Sequence, residues 1–203
     1  MARISAVGGR QAGLRSRIVF WFTRRALARL SGCSPERGIE PVEMYAHLPS
    51  LLQGYARLEQ ATAGLHRLDR RHRALAELKA ATATGCEYCI DLGSQIARRW
   101  GLSGDELVAL PTYSTSGLFS DLDKLVLDYA VGMSTTPVAV TEELFDRLRG
   151  HFDEAQLVEL THIIALENMR GRFNRALGIP PAGFSEGQVC AVATHLPARE
   201  ARR

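Results

Sequence analysis

The 203-residue sequence contains only four cysteines, Cys33, Cys86, Cys89 and Cys190. That is too few, in too long a chain, for a secreted scaffold stapled by disulfides. No apolar run reaches the roughly 18 residues a membrane span needs, so no integral membrane segment is expected. The stretch Ile18–Phe22 is short and has arginines on both sides, so no signal peptide is expected either. β-branched residues never alternate with polar ones for long, which argues against strands. Aromatic residues make up 7% of the chain and the formal net charge is only +3. With no dense Lys/Arg face and interleaved aromatics, a nucleic-acid partner is not expected. What remains is an all-α protein, expected in the cytoplasm. In a reducing cytosol a close cysteine pair is more often catalytic or metal-binding than structural.

The content that is present, 46% hydrophobic and 23% charged, suits one globular core with extensions. The first dozen residues lack periodicity and read as an arm. Leu14–Gly32 then forms a basic amphipathic pattern, with Ile18, Phe22, Leu27 and Leu30 apolar and Arg17, Arg24, Arg25 and Arg29 charged. Residues 1–38 are therefore taken as an N-terminal arm and helix, 39–184 as the main helical domain, and 185–203 as a tail. Within the domain a break falls at His47-Leu48-Pro49. Pro49 opens the next helix, with Leu51, Leu52, Tyr55 and Leu58 expected on its inner face. Asp69 is a candidate cap and Gly85 a stop for the following helix. A helix carrying the cysteines runs to about Trp100, and Ser103 with Glu106 forms a capping box for the next. Pro111–Ser120 reads as a loop. Leu122, Leu125, Val126 and Tyr129 mark the face of another helix. Thr141 and Asp153 cap the last two, the second of which ends at Gly178.

Cys86 and Cys89 sit three residues apart directly after Gly85, and three readings compete. A zinc site needs a second pair of ligands with suitable spacing. Cys33 and Cys190 are lone, and His66 and His72 stand six residues apart. Two small buried residues on one helix face is the plainest reading, since cysteine is often buried. The redox reading has more behind it. Gly85 lets the chain turn sharply into the helix, and Cys86 falls in the first turn, where free N–H groups and the helix dipole favour a thiolate. Cys89 lies one turn later on the same face and can attack a sulfur species formed on its partner. By this argument Cys86 is the more acidic thiol.

The stretch Leu75–Leu110, "LAELKAATATGCEYCIDLGSQIARRWGLSGDELVAL", resembles the core of the carboxymuconolactone decarboxylase-like superfamily, which includes the alkyl hydroperoxidase D proteins. The Gly-Cys-x-x-Cys motif followed by the Gly-Leu-Ser helix is its most specific part. Phe152–Pro180, with an Asn-x-x-x-Arg pattern at Asn168 and Arg172, is similar to the family's C-terminal helix. Glu40–Glu59, with Ala46, His47 and Pro49, is similar to its N-terminal approach. The resemblance spans roughly residues 40–180. It implies an alkyl hydroperoxidase D-like helical bundle and a thiol-dependent peroxidase-like oxidoreductase. It implies that Cys89 attacks a peroxide, that Cys86 resolves the sulfenic acid into a disulfide, and that an external dithiol reductant restores the pair, with no metal, haem or flavin. Two alternatives are a carboxymuconolactone decarboxylase-type lyase and a non-catalytic redox-sensing or interaction protein. The first is disfavoured because those members generally lack the cysteine pair.

The family's proton relay uses a histidine four residues after the second cysteine and a glutamate about twelve before the first. Here those positions hold Gly93 and Ala74. Glu77, one turn nearer the motif, is the substitute expected to be partly buried among Ala74, Ala80, Ala81 and Thr84, unless it is simply a helix-surface residue paired with Arg or Lys. His47 and His162 are further proton-carrier candidates, each with an ordinary packing or capping alternative. Tyr88, between the cysteines, is a candidate to line a pocket. Asp91 follows Cys89 by two, points off the cysteine face and reads as structural. Self-association is also expected. The cluster Phe20, Trp21 and Phe22 is costly to leave in water, and packing across or beside the interface of a homo-oligomer would cover it.

Overall fold

The computed structural model describes residues 2–192, and these are helical with no strand among them. In chain order the helices are α1 (Leu14–Ser31), α2 (Glu40–Tyr45), α3 (Pro49–Ala63), α4 (Arg70–Thr84), α5 (Glu87–Arg99), α6 (Gly104–Ala109), α7 (Asp121–Ser134), α8 (Glu142–Arg149) and α9 (Glu154–Leu177). Among the described residues no helix is long and apolar enough to cross a membrane.

Local chemistry sets most helix starts. The Asp69 carboxylate accepts the Arg71 N–H at 2.8 Å at the head of α4. Ser103 with Glu106, Ser120 with Asp123, and Asp153 with Gln156 form reciprocal capping boxes on α6, α7 and α9. Each cap satisfies N–H groups that have no partner inside the helix, a contribution of about 1 kcal/mol.

Helix α4 is central and packs against α5, α7 and α9. Its alanines Ala74, Ala76, Ala80 and Ala81 are all buried, so its neighbours can approach its backbone from several sides. Leu75 and Leu78 fill the α5 side with Leu107, Leu110 and Leu127. On the other side Ala76 and Ala80 meet Leu125, Val126, Leu148, Leu160, Ile163 and Ile164. Each fully buried leucine or isoleucine contributes about 1.5–3 kcal/mol. A third cluster gathers Phe20 of α1 with Ile39, Tyr45, Ala46 and Leu52, and Tyr45 stacks between Tyr55 and Phe173 at 4.3 and 4.2 Å.

The inner face expected for α3 needs correction. Leu52 is buried and Tyr55 partly so, but Leu51 and Leu58 are 49% and 37% exposed. Helix α3 packs on α1 and α2 and is tied to α9 through Glu59 and Thr62, and within it only Leu52 and Thr62 are fully buried, so its apolar stripe is wider than the face it buries. Pro111–Ser120 begins with a short 3-10 turn at Leu110–Thr112, and Tyr113 and Phe119 tie the loop into the core. The Tyr113 hydroxyl donates to the Asp128 carboxylate at 2.6 Å.

Past α9 the chain returns over α5. The Asp91 carboxylate accepts the backbone N–H groups of Ala182, Gly183, Phe184 and Ser185 at 2.7–3.0 Å. The Ser94 hydroxyl accepts the Ala191 N–H at 3.0 Å. Asp91 is buried, so its charge is held entirely by these donors. Part of the expected tail, up to Val192, thus lies on α5, whereas residues 193–203 fall outside the described residues.

Two predictions follow from these buried charges. Asp91→Ala leaves four N–H groups without their acceptor and should lower unfolding stability by about 3 kcal/mol or more, measured by urea unfolding at fixed redox state. Lys79 of α4 is 1% exposed, donates to the Leu110 carbonyl at 3.3 Å and sits 4.6 Å over the Tyr113 ring. Burial pushes its pKa down to about 8, with Asp128 pulling the other way. The unfolded lysine titrates near 10.4, so between about pH 8 and 10 the unfolded chain binds more protons and stability should rise with pH. Lys79→Met should lack that rise, read as the difference between the two proteins' melting curves across this range.

Candidate redox site

Helix α4 ends at Gly85, whose φ of 65° places it in the left-handed region that glycine occupies without strain. The Cys86 N–H returns to the Ala81 carbonyl at 3.2 Å, and α5 begins at the next residue. Cys86 is therefore the N-cap of α5, and its sulfur accepts the Cys89 N–H at 3.2 Å. The two cysteines are joined in a disulfide with Cα atoms 5.2 Å apart. Both are buried, at 1% and 6% exposure. Cys33 and Cys190 are free thiols. Among the described residues no three His, Cys, Asp or Glu side chains converge as metal ligands would.

Helix α9 closes the site from the other side. Gly171 lies so near Thr84 that a Cβ there would collide with the threonine side chain. One turn further on, the buried Asn174 directs its Nδ2 at both sulfurs, 3.4 Å from Cys89 and 3.6 Å from Cys86. The adjacent Arg175 donates from Nη1 to the Gly85 carbonyl at 3.2 Å. Asn174 went unnoticed in the sequence because it is 85 residues from Cys89 and lies in an ordinary helical pattern.

The two positions where the family carries its relay are taken up by packing. Ala74 is 4% exposed within the core. A Cβ on Gly93 would stand 3.2 Å from the Leu78 side chain, so an imidazole there would require Leu78 to move. Glu77 is partly buried, with a side chain 20% exposed, and pairs with Arg73 at 3.4 Å. About 12 Å of helix separates it from Gly85 along α4. The Tyr88 hydroxyl donates to the Gly38 carbonyl at 2.5 Å and its ring packs edge-on against Phe184, so it braces α5 from within the core. His47 is exposed and its Nε2 meets the Ser5 carbonyl at 2.9 Å. His162 Nε2 meets the Thr62 hydroxyl at 2.8 Å, about 18 Å along α9 from Asn174. The structure thus brings together Cys86 and Cys89, whereas the partners of Glu77, His47 and His162 are Arg73, the Ser5 carbonyl and the Thr62 hydroxyl.

A different carboxyl is shifted toward neutrality by burial. Glu167 of α9 is buried, and burial pushes its pKa up to about 7, with Arg170 pulling down and Glu77 pushing up. Arg170 bonds Glu167 at 2.9 Å and Glu59 at 2.5 and 2.8 Å. Glu167 sits two turns, about 10 Å, before Asn174 along α9, and its hydrogen bond is to Arg170. Its only sequence signal is a glutamate inside the apolar run "HIIALEN".

Comparison with known proteins agrees with this geometry. The pattern of the Carboxymuconolactone decarboxylase family matches residues 49–121. The chain is 36% identical over 165 residues to the uncharacterized protein YnjA of Escherichia coli (strain K12), covering 81% of this chain and 86% of that one. It is 30% identical over 112 residues to the uncharacterized protein YdfG of Bacillus subtilis (strain 168), covering 55% and 76%. In three dimensions it is similar to the alkylhydroperoxidase AhpD core of an uncharacterized peroxidase-related protein from Ralstonia eutropha JMP134, with a TM-score of 0.70 at 18% identity over 89% of this chain and 92% of that one. It is also similar to the apo debrominase Bmp8, with a TM-score of 0.75 at 20% identity over 90% and 93%. At such identities the structural likeness establishes the fold. The motif Gly85-Cys86-x-x-Cys89, the helical bundle around it and the match over residues 49–121 place the chain in the carboxymuconolactone decarboxylase-like superfamily, with the alkylhydroperoxidase D-like fold.

Proposed function

We propose that the chain is a thiol-dependent, alkylhydroperoxidase-like oxidoreductase working through Cys86 and Cys89. The observation that carries this reading is the pairing of the two sulfurs at the N-terminus of α5, under a hydrogen-bond donor from α9. The Cys89 thiolate attacks a peroxide oxygen. The O–O bond breaks, an alkoxide leaves and takes up a proton, and Cys89 becomes a sulfenic acid. The Cys86 thiolate then attacks the Cys89 sulfur, the S–O bond breaks, hydroxide leaves as water, and the disulfide forms. One thiol of an external dithiol attacks Cys89 and expels Cys86 as the leaving thiolate, and its second thiol then attacks the mixed disulfide, freeing Cys89 and leaving the reductant as a disulfide.

Helix-start chemistry and the roles implied by the family are compatible in this scheme. Cys86 receives the Cys89 N–H and the dipole of α5, so its thiolate is well stabilised. A well-stabilised thiolate is a good leaving group in reduction. Cys89 is the less buried of the two and takes the role of the sulfur that meets peroxide and reductant.

One equivalent of peroxide should remove two free thiols from the reduced protein, and tryptic mapping should recover them as a linked Cys86–Cys89 pair. Cys89→Ser should form no such pair, and its peroxide consumption with a dithiol should fall to the uncatalysed rate. Recovery of both thiols free after oxidation would overturn the reading.

The same reading includes a homo-oligomer that covers the outer face of α1. Phe20 is buried within its own chain, whereas Trp21 and Phe22 are 58% and 61% exposed beside Ile18 and Leu14. Because removal of residues 1–38 would also strip Phe20 from the core, Trp21→Ser with Phe22→Ser is the cleaner variant. Sedimentation at micromolar concentration should show an assembly for the parent chain and a smaller species for the variant. A monomeric parent chain would remove the assembly from the reading.

A further inference from the structure

We propose that Asn174 is a catalytic residue that holds Cys89 in its thiolate form and passes its hydrogen bond between the two sulfurs as charge moves from one to the other. This rests on the thiol-redox reading above and assigns the α9 donor its part in the reaction.

The inference starts from the unequal supply of donors. Cys86 Sγ accepts the Cys89 N–H at 3.2 Å and the Asn174 Nδ2 at 3.6 Å. Among the described residues Cys89 Sγ has one donor, the Asn174 Nδ2 at 3.4 Å. Both cysteines belong to an apolar cluster that includes Met44, Leu78, Ala81 and Ile90. A thiol buried among such groups resists ionisation, because its anion loses water and gains nothing in return. With the family histidine replaced by Gly93 and that position packed against Leu78, no imidazole stands there to compensate. The carboxamide of Asn174 is the group left to carry that role.

An amide suits the task. A thiolate only accepts hydrogen bonds, so the reduced site holds the carboxamide with its nitrogen toward the sulfurs. The group does not titrate, so it offers the same donor at every pH while the sulfurs change charge. Because Nδ2 reaches both sulfurs, it serves Cys89 during attack on peroxide and Cys86 during closure of the disulfide. It serves Cys86 again when that sulfur leaves on reduction.

The backbone holds the donor in place. The Asn174 carbonyl accepts the Ile179 N–H at 3.0 Å in the turn that ends α9. Gly171, one turn before it, allows the close contact with Thr84 that seats α9 on the α4–α5 turn. Arg175, one residue on, bonds the Gly85 carbonyl of the same turn. Asn174 therefore approaches the sulfurs from a segment fixed on three counts.

The test compares the reduced parent chain with Asn174→Ala and the near-isosteric Asn174→Asp. Thiolate absorbance in the ultraviolet is followed against pH, together with the rate of peroxide-driven Cys86–Cys89 formation. In Asn174→Ala the thiolate midpoint and the acid limb of the rate profile should both move up by about one pH unit, with oxidation slowed roughly tenfold near neutrality. In Asn174→Asp the ionised carboxylate opposes the thiolate and the shift should be larger. The linked Cys86–Cys89 peptide should remain the product. Far-ultraviolet dichroism and melting establish that each variant is folded, and Asn174→Asp carries the test if the alanine variant is not. A purely structural role would lower the melting temperature and leave the midpoint in place, which would overturn the assignment. A parent chain that cycles normally beside a folded variant with a superimposable pH profile would also overturn it, while leaving the thiol-redox reading intact. A parent chain that forms no disulfide at all would defeat that reading and the role of Asn174 with it.

Discussion

The contact on which the site depends is the one between Thr84 and Gly171. Where α4 ends and α9 passes, the α9 backbone at Gly171 lies closer to the Thr84 side chain than a Cβ at position 171 would allow. The approach is supported along α4 by a row of buried alanines, so α9 lies against the α4 backbone over several turns. Its consequences fall one turn further on. Asn174 reaches the sulfurs, Arg175 reaches the carbonyl of Gly85, and the α4–α5 turn is held from outside as well as by its own hydrogen bonds. A methyl group at position 171 would move all three contacts together, because a packed interior passes on a small displacement rather than absorbing it.

Buried charge organises the periphery of this arrangement while the sulfurs themselves lie in an apolar cluster. Arg71 ties the head of α4 to Asp123 of α7 and Glu106 of α6 at 2.5–3.2 Å. Burial works against both carboxylates, but Arg71 and the capping serines hold their pKa values below the usual range. Arg170 ties α3 to α9 through Glu59 and Glu167. Asp91 ties the returning C-terminal segment to α5. Such groups are a modest source of net stability, since desolvation consumes much of their attraction, and each missing partner would be costly. Their role is geometric: they set how the helices sit around α4 and so where α5 presents Cys86 and Cys89.

Much of the framework was readable from residue order, because the relevant forces act over a few residues. Asp69, Ser103, Thr141 and Asp153 were legible as caps, since an N-cap oxygen and the N–H it serves are two or three positions apart. Asp91 was legible as a structural group from its offset to Cys89 on one helix, but its partners, Ala182 to Ser185, were not. Leu51 and Leu58 were misplaced for a related reason. An apolar stripe states which side of a helix prefers cover, whereas the width of the neighbouring surface decides how much of that stripe is covered.

For the dithiol the division follows the same line. The sequence by itself determined that two cysteines stand one turn apart after a glycine, at the start of a helix in an all-α chain, because spacing and turn propensity are local properties. The tertiary structure alone decided which other groups meet them. It brought Asn174 to the sulfurs from 85 residues away, packed the Gly93 position against Leu78, and gave Glu77, His47 and His162 other partners, in Arg73, the Ser5 carbonyl and the Thr62 hydroxyl. These outcomes depend on how closely α9 approaches α4, a distance set by the small side chains of two helices far apart in the chain.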